Sequence, residues 1–129
     1  MTTSTQSKRI LDVGQCNVDG PRIGRFLTSE FNCTVDRAGT KDQALAMTSA
    51  TPYDLVLVNR VLNRDGSPGT DVIAALHAAH PDLRLMLVSD FPEAQQQATQ
   101  LGALPGFGKA NLESDKTEDI LRSVLNQSP

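Results

Sequence analysis

The chain has 129 residues, 39% of them apolar, and its 15 acidic and 12 basic side chains give a net charge of −3. That length suits one domain with one sizeable core and leaves no room for a second. Lysines and arginines are scattered, so no phosphate-tracking nucleic-acid surface is expected, and no apolar run has the length of a membrane span or a signal-peptide core.

Cys16 and Cys33 are too few for a disulfide framework, and the chain reads as cytoplasmic with reduced thiols. Residues 1–8 are polar and read as an N-terminal tail, residues 9–125 as the domain, and residues 126–129 as a C-terminal tail or the start of a linker. Ile10-Leu11-Asp12-Val13 before Gly14-Gln15 predicts a first strand meeting a turn. Asp19 is placed to cap a helix with Pro21 in its first turn and Ile23, Phe26, Leu27 and Phe31 along its apolar stripe. Cys33 to Asp36 is a weak second strand, and Thr40 caps a second helix with Ala44, Leu45 and Met47 inward.

Tyr53 to Val58 is apolar at nearly every position, as a central strand covered on both faces requires. Arg60 to Thr70, with its Asn, Asp, Gly and Pro residues, is loop. Val72, Ile73 and Leu76 mark a third helix closed by Pro81, and Leu83 to Val88 is a fourth strand ending at Ser89. Pro92 to Leu101 is a helix with a polar Gln95-Gln96-Gln97 face, Gly102 to Phe107 holds a glycine-interrupted fifth strand before Lys109, and Thr117 to Leu125 is an amphipathic last helix. Strands alternating with helices predict an α/β fold with a parallel sheet, right-handed crossovers and helices on both faces.

In such a sheet reactive groups gather at the carboxyl ends of the strands, which here deliver Gly14, Gln15, Asn59, Ser89 and Lys109. On these positions, over about residues 9 to 125, the chain resembles the bacterial two-component response-regulator receiver domain. The resemblance implies a flavodoxin-like (βα)5 sandwich whose five-stranded sheet runs 2-1-3-4-5. It also places the family's magnesium-holding acid pair on Gly14 and Gln15, its phosphoacceptor aspartate on Asn59, its switch hydroxyl on Ser89 and its phosphate-sensing lysine on Lys109. Two of these positions match and the reacting ones do not. Glycine, glutamine and asparagine supply no carboxylate, whereas magnesium prefers carboxylate oxygens, so no metal, cofactor or catalytic residue is expected. The family's aromatic before the lysine would fall on Gly106, and the nearest aromatic is Phe107, one position later; Ala110 stands where the family has proline.

Several residues admit plainer roles. Ser89 either caps the following turn or keeps a signalling role, and Lys109 either pairs with Asp90, bridges to Asn59 or senses an anion. Asp12, an acid inside an apolar strand, is expected to be partly exposed or paired, with Lys109 as a candidate partner. His77 and His80 share a zinc-compatible spacing but lack a third ligand and read as surface residues, and Cys16 packs or lines its loop.

The leading expectation is a receiver-like signalling module that works without phosphorylation, is not an enzyme, and acts on a protein partner or fused output domain. It would be a monomer or weak homodimer through the fourth helix, fifth strand and fifth helix, roughly residues 93–101, 104–107 and 118–125. The alternatives are a small-ligand or anion sensor using the vacated pocket beside Lys109, and a small flavodoxin-like enzyme.

Overall fold

A computed structural model describes residues 8–125; most of the expected N-terminal tail and the whole C-terminal one lie outside the described residues. The order is β1 (Lys8–Val13), α1 (Asp19–Phe31), β2 (Cys33–Ala38), α2 (Lys41–Ala50), β3 (Leu55–Asn59), α3 (Gly69–Ala79), β4 (Leu85–Val88), α4 (Pro92–Gln100), β5 (Leu104–Phe107), a short 3₁₀ turn (Lys109–Asn111) and α5 (Asp115–Leu125). The strands form one parallel sheet in the order β2-β1-β3-β4-β5, with β3 at the centre.

Side-chain alternation along the strands divides the interior into two cores. Leu11, Val13, Val56, Val58, Leu85 and Leu87 face one side, where Ala44 of α2, Val72, Ile73 and Leu76 of α3 and Ala98 of α4 cover them. Ile10, Leu55, Leu57, Met86 and Val88 face the other, under Ile23 and Leu27 of α1 and Leu121, Val124 and Leu125 of α5. This is the flavodoxin-like (βα)5 sandwich.

Local chemistry accounts for the element ends, with one correction. Thr40 caps α2 as expected, its hydroxyl accepting the Gln43 N–H at 3.1 Å. Asp19 is not a cap: Val18 holds the position before α1 and makes no side-chain bond, while Asp19 lies inside the first turn. Its N–H instead reaches the Cys16 sulfur at 3.3 Å, and that thiol points back at the Asp19 carboxylate at 3.4 Å. Cys16 thus fastens its own loop.

The β4–β5 pairing is irregular. Met86 faces Leu104 and Val88 faces Phe107, so β5 spends one more residue than β4 over the same interval. Gln95 of α4 fills the resulting gap. Its amide nitrogen donates to the Leu87 and Ser89 carbonyls at 2.8 and 3.1 Å, and its oxygen accepts the Gly106 N–H at 3.0 Å. The glutamine run is therefore not a uniform outer face: Gln95 turns inward and only Gln96 and Gln97 are exposed.

Candidate functional site

At the carboxyl edge of the sheet, Asn59 ends β3 and the chain turns into a loop that folds back on itself, with Val61 bridged to Pro68 and the Gly69 N–H bonded to the Arg60 carbonyl at 2.7 Å. A side chain at Gly69 would strike the Asn59 carbonyl, so this closure requires glycine. The Asn59 side-chain nitrogen donates to the Gly14 carbonyl at 3.1 Å and the Val61 carbonyl at 2.8 Å, and its oxygen accepts the Arg60 N–H at 3.0 Å. Both ends of the amide are engaged in tying the β1 and β3 loops together.

Gly14 has φ of +83°, and a Cβ there would lie 2.6 Å from Leu62 Cγ. Leu62 is fully buried, so it has little freedom to withdraw. Gln15 is only 7% exposed, with no hydrogen bond to either amide atom. Among the described residues, no three His, Cys, Asp or Glu side chains come together to hold a metal ion. The residues at Gly14, Gln15 and Asn59 do not fit magnesium, because none supplies a carboxylate and a longer side chain at Gly14 is excluded by the packing.

Lys109 does not pair with Asp90 or bridge to Asn59. Its ammonium lies 2.9 Å from Asp19 Oδ2, because Arg22 of α1 bonds the Lys109 carbonyl at 3.1 Å and brings the first turn of α1 against the 3₁₀ turn. The lysine holds the Asp19 carboxyl below its ordinary value, assisted by the Cys16 contact. Asp90 is engaged elsewhere, its oxygens accepting from the Ala110 N–H and the Asn111 amide, both at 3.4 Å, which shapes the turn around Lys109.

Ser89 accepts the Phe91 N–H on its hydroxyl at 3.1 Å, which is the turn-capping role. Phe107 ends β5 and is buried in the α1–α5 core, and its carbonyl accepts the Ser89 N–H at 2.8 Å. The exposed aromatic beside the site is Phe91, over which the Arg60 guanidinium lies at 4.9 Å. Asn59, Arg60, Val61, Ser89, Asp90, Phe91 and Lys109 surround a shallow pocket of about 250 Å³.

Asp12 departs from expectation. It is only 1% exposed and neither carboxylate oxygen has a hydrogen bond, because β1 is paired on both sides and covered on both faces. Burial pushes its carboxyl up to about 7, against smaller lowering effects from Gln15, Arg37 and Lys109. Gln15 is near enough to exert that effect without reaching the geometry of a hydrogen bond. His77 and His80 are half-buried at the end of α3, with His77 Nδ1 and His80 Nε2 enclosed and unbonded. Gly102 packs directly beneath the His77 ring.

Two contributors leave little trace in the sequence. Asp19 has the spacing of a cap, and nothing in that spacing points to Lys109 as its partner. Gln95 has a faint signal in the Pro105-Gly106 interruption of the strand it repairs.

No protein-family model and no curated protein matches the sequence. Solved structures do. The receiver domain of NtrX from Brucella abortus is 24% identical with a TM-score of 0.77, covering 92% of this chain and 99% of that one. The signal receiver domain of an HD domain-containing protein from Pseudomonas fluorescens Pf-5 is 23% identical with a TM-score of 0.79, covering 98% and 92%. A response regulator from Burkholderia pseudomallei, solved with a phosphorylated aspartic acid and a calcium ion, is 23% identical with a TM-score of 0.72, covering 92% of this chain. The chain spans 66% of that regulator and 27% of the longer NtrX chain. At these identities the likeness establishes the fold, which is that of a response-regulator receiver domain.

Proposed function

We propose that this domain is a receiver-fold signalling module that has left phosphoryl transfer behind and acts by phosphorylation-independent contact with a protein partner or a fused output domain. The observation that carries the reading is the bonding of Asn59. Its amide donates to two backbone carbonyls, which a carboxylate cannot do, so the loop junction is built around an amide and not around an acceptor aspartate. Gly14 and Gln15 support the same reading, since neither can contribute a metal-binding carboxylate and Leu62 closes the space above Gly14. The Burkholderia regulator was solved with a phosphorylated aspartic acid and a calcium ion, and Gly14, Gln15 and Asn59 offer no carboxylate to take up a phosphoryl group or such an ion.

The vacated pocket beside Lys109 is a weaker candidate for sensing an anion. Asp19 already neutralises the lysine at 2.9 Å, and an incoming anion would have to break that pair. The face formed by α4, β5 and α5 is the docking surface this reading favours, with Gln96, Gln97 and Glu93 keeping it polar and wet, suited to a monomer or weak homodimer.

Incubation with magnesium and acetyl phosphate, followed by intact mass measurement, tests the reading. The expected result is no added phosphoryl group. An acid-labile adduct of one phosphoryl would refute it.

A further inference from the structure

A second cleft, of about 390 Å³, opens at the carboxyl ends of β1 and β2 on the other side of the Asn59 junction. Its polar lining consists of Gln15, Asn17, Arg37, Gln43, Asn63 and Arg64, four amides and two guanidinium groups with no carboxylate among them. Each arginine is laid over a glycine. A Cβ at Gly20 would fall on the Arg37 guanidinium, with Nε at 2.7 Å, and one at Gly39 would come within 3.1 Å of Arg64 Cδ. Arg37 is further fixed by donating through one terminal nitrogen to the Gln15 and Cys16 carbonyls, both at 3.1 Å. Those partners are neutral, and among the described residues neither arginine has a carboxylate within ion-pair distance. Asp65, next to Arg64 in the chain, turns its carboxylate to Ser67 instead. The cleft therefore holds two positive charges without ion-pair partners, one of them preorganised.

Gln15 supplies the second, independent sign. It is only 7% exposed and lines this cleft, and its amide nitrogen and oxygen make no hydrogen bond of good geometry, the nearby Asp12 carboxyl included. A buried amide left unbonded has lost its hydration without replacement, and a bound polar group would supply what is missing.

We propose that this cleft binds a small polar molecule through a carboxylate or phosphate group, with Arg37 and Arg64 holding the oxyanion and the Gln15 amide meeting a neighbouring polar group. Guanidinium groups suit either oxyanion because their planar fork presents paired donors. The site is separate from the pocket beside Lys109 and does not depend on how the Asn59 position is read.

Thermal shift and backbone amide NMR titrations with malonate and with inorganic phosphate, at ionic strength held constant with chloride, test it. We expect at least one of the two to saturate, with shifts centred on Gln15, Gly39 and Arg64, and its identity assigns the ligand as a carboxylate or a phosphate ester. Arg64→Gln, which removes an exposed side chain with no hydrogen bonds of its own, should weaken that binding roughly tenfold. Lys109→Gln should leave it unchanged. Absence of saturable binding by both probes, equal binding by Arg64→Gln, or loss of binding in Lys109→Gln alone would overturn the proposal.

Discussion

At Asn59 the difference between an amide and a carboxylate is one of hydrogen-bond direction. The amide donates twice and accepts once, and an aspartate of the same shape would set its charge against the Gly14 and Val61 carbonyls. Asn59→Asp is therefore expected to lower stability by about 1–3 kcal/mol, read as a reduced urea midpoint at unchanged slope, without gaining reactivity toward a phosphodonor. A variant as stable as the parent would mean that these donors are idle. Asp12 gives a prediction in pH. Its carboxyl titrates at about 7 in the fold and near the usual 3.8 when unfolded. Between those values the folded state holds a proton that the unfolded chain has released, so this residue's contribution to stability falls as pH rises from about 4 to about 7 and is level above that. Asp12→Asn should abolish that component, seen as a melting temperature that declines less over this range than the parent's. Parallel profiles would show that Asp12 does not titrate there.

At the scale of elements, the junctions between strands and loops carry information that periodicity does not. Apolar runs reveal the strands because buried parallel strands are apolar on both faces, and Ile120, Leu121, Val124 and Leu125 reveal α5 by their spacing. The irregular β4–β5 pairing is not legible in the same way, since it depends on an amide from α4 reaching between two strands. Gln95→Ala should cost about 1–3 kcal/mol and speed hydrogen exchange at the Gly106 amide, whereas Gln96→Ala and Gln97→Ala should each stay within about 0.5 kcal/mol of the parent. Similar losses at all three positions would contradict the inward placement of Gln95. Gly14 makes the companion case. Gly14→Asp meets both a left-handed backbone and the Leu62 side chain, so restoring an acid there is expected to destabilise the fold by more than about 1 kcal/mol. Reassembly of a magnesium cradle in the triple variant Gly14→Asp, Gln15→Asp, Asn59→Asp is opposed by packing as well as by charge repulsion. A triple variant that melts like the parent without magnesium would show that Leu62 yields easily.

For the whole molecule, fold and chemistry separate cleanly. Both cores follow from alternation and burial, the sheet order is what the resemblance implies and the structure has, and the sheet edge that brings Gly14, Asn59, Ser89 and Lys109 together follows from that topology. Which groups at that edge bond one another does not, because the Lys109–Asp19 pair, the isolation of Asp12 and the arginines lying on Gly20 and Gly39 are set by contacts between distant segments. No helix among the described residues is long and apolar enough to cross a membrane. A module of this kind is expected to keep one oligomeric state, monomer or weak dimer, with and without a phosphodonor, and light scattering at two concentrations reads this directly. Intact mass after exposure to magnesium and acetyl phosphate shows directly whether phosphoryl transfer has been lost. The expected mass is identical to that of the untreated protein, and a stoichiometric, acid-labile gain of one phosphoryl group would show that the domain still accepts phosphate.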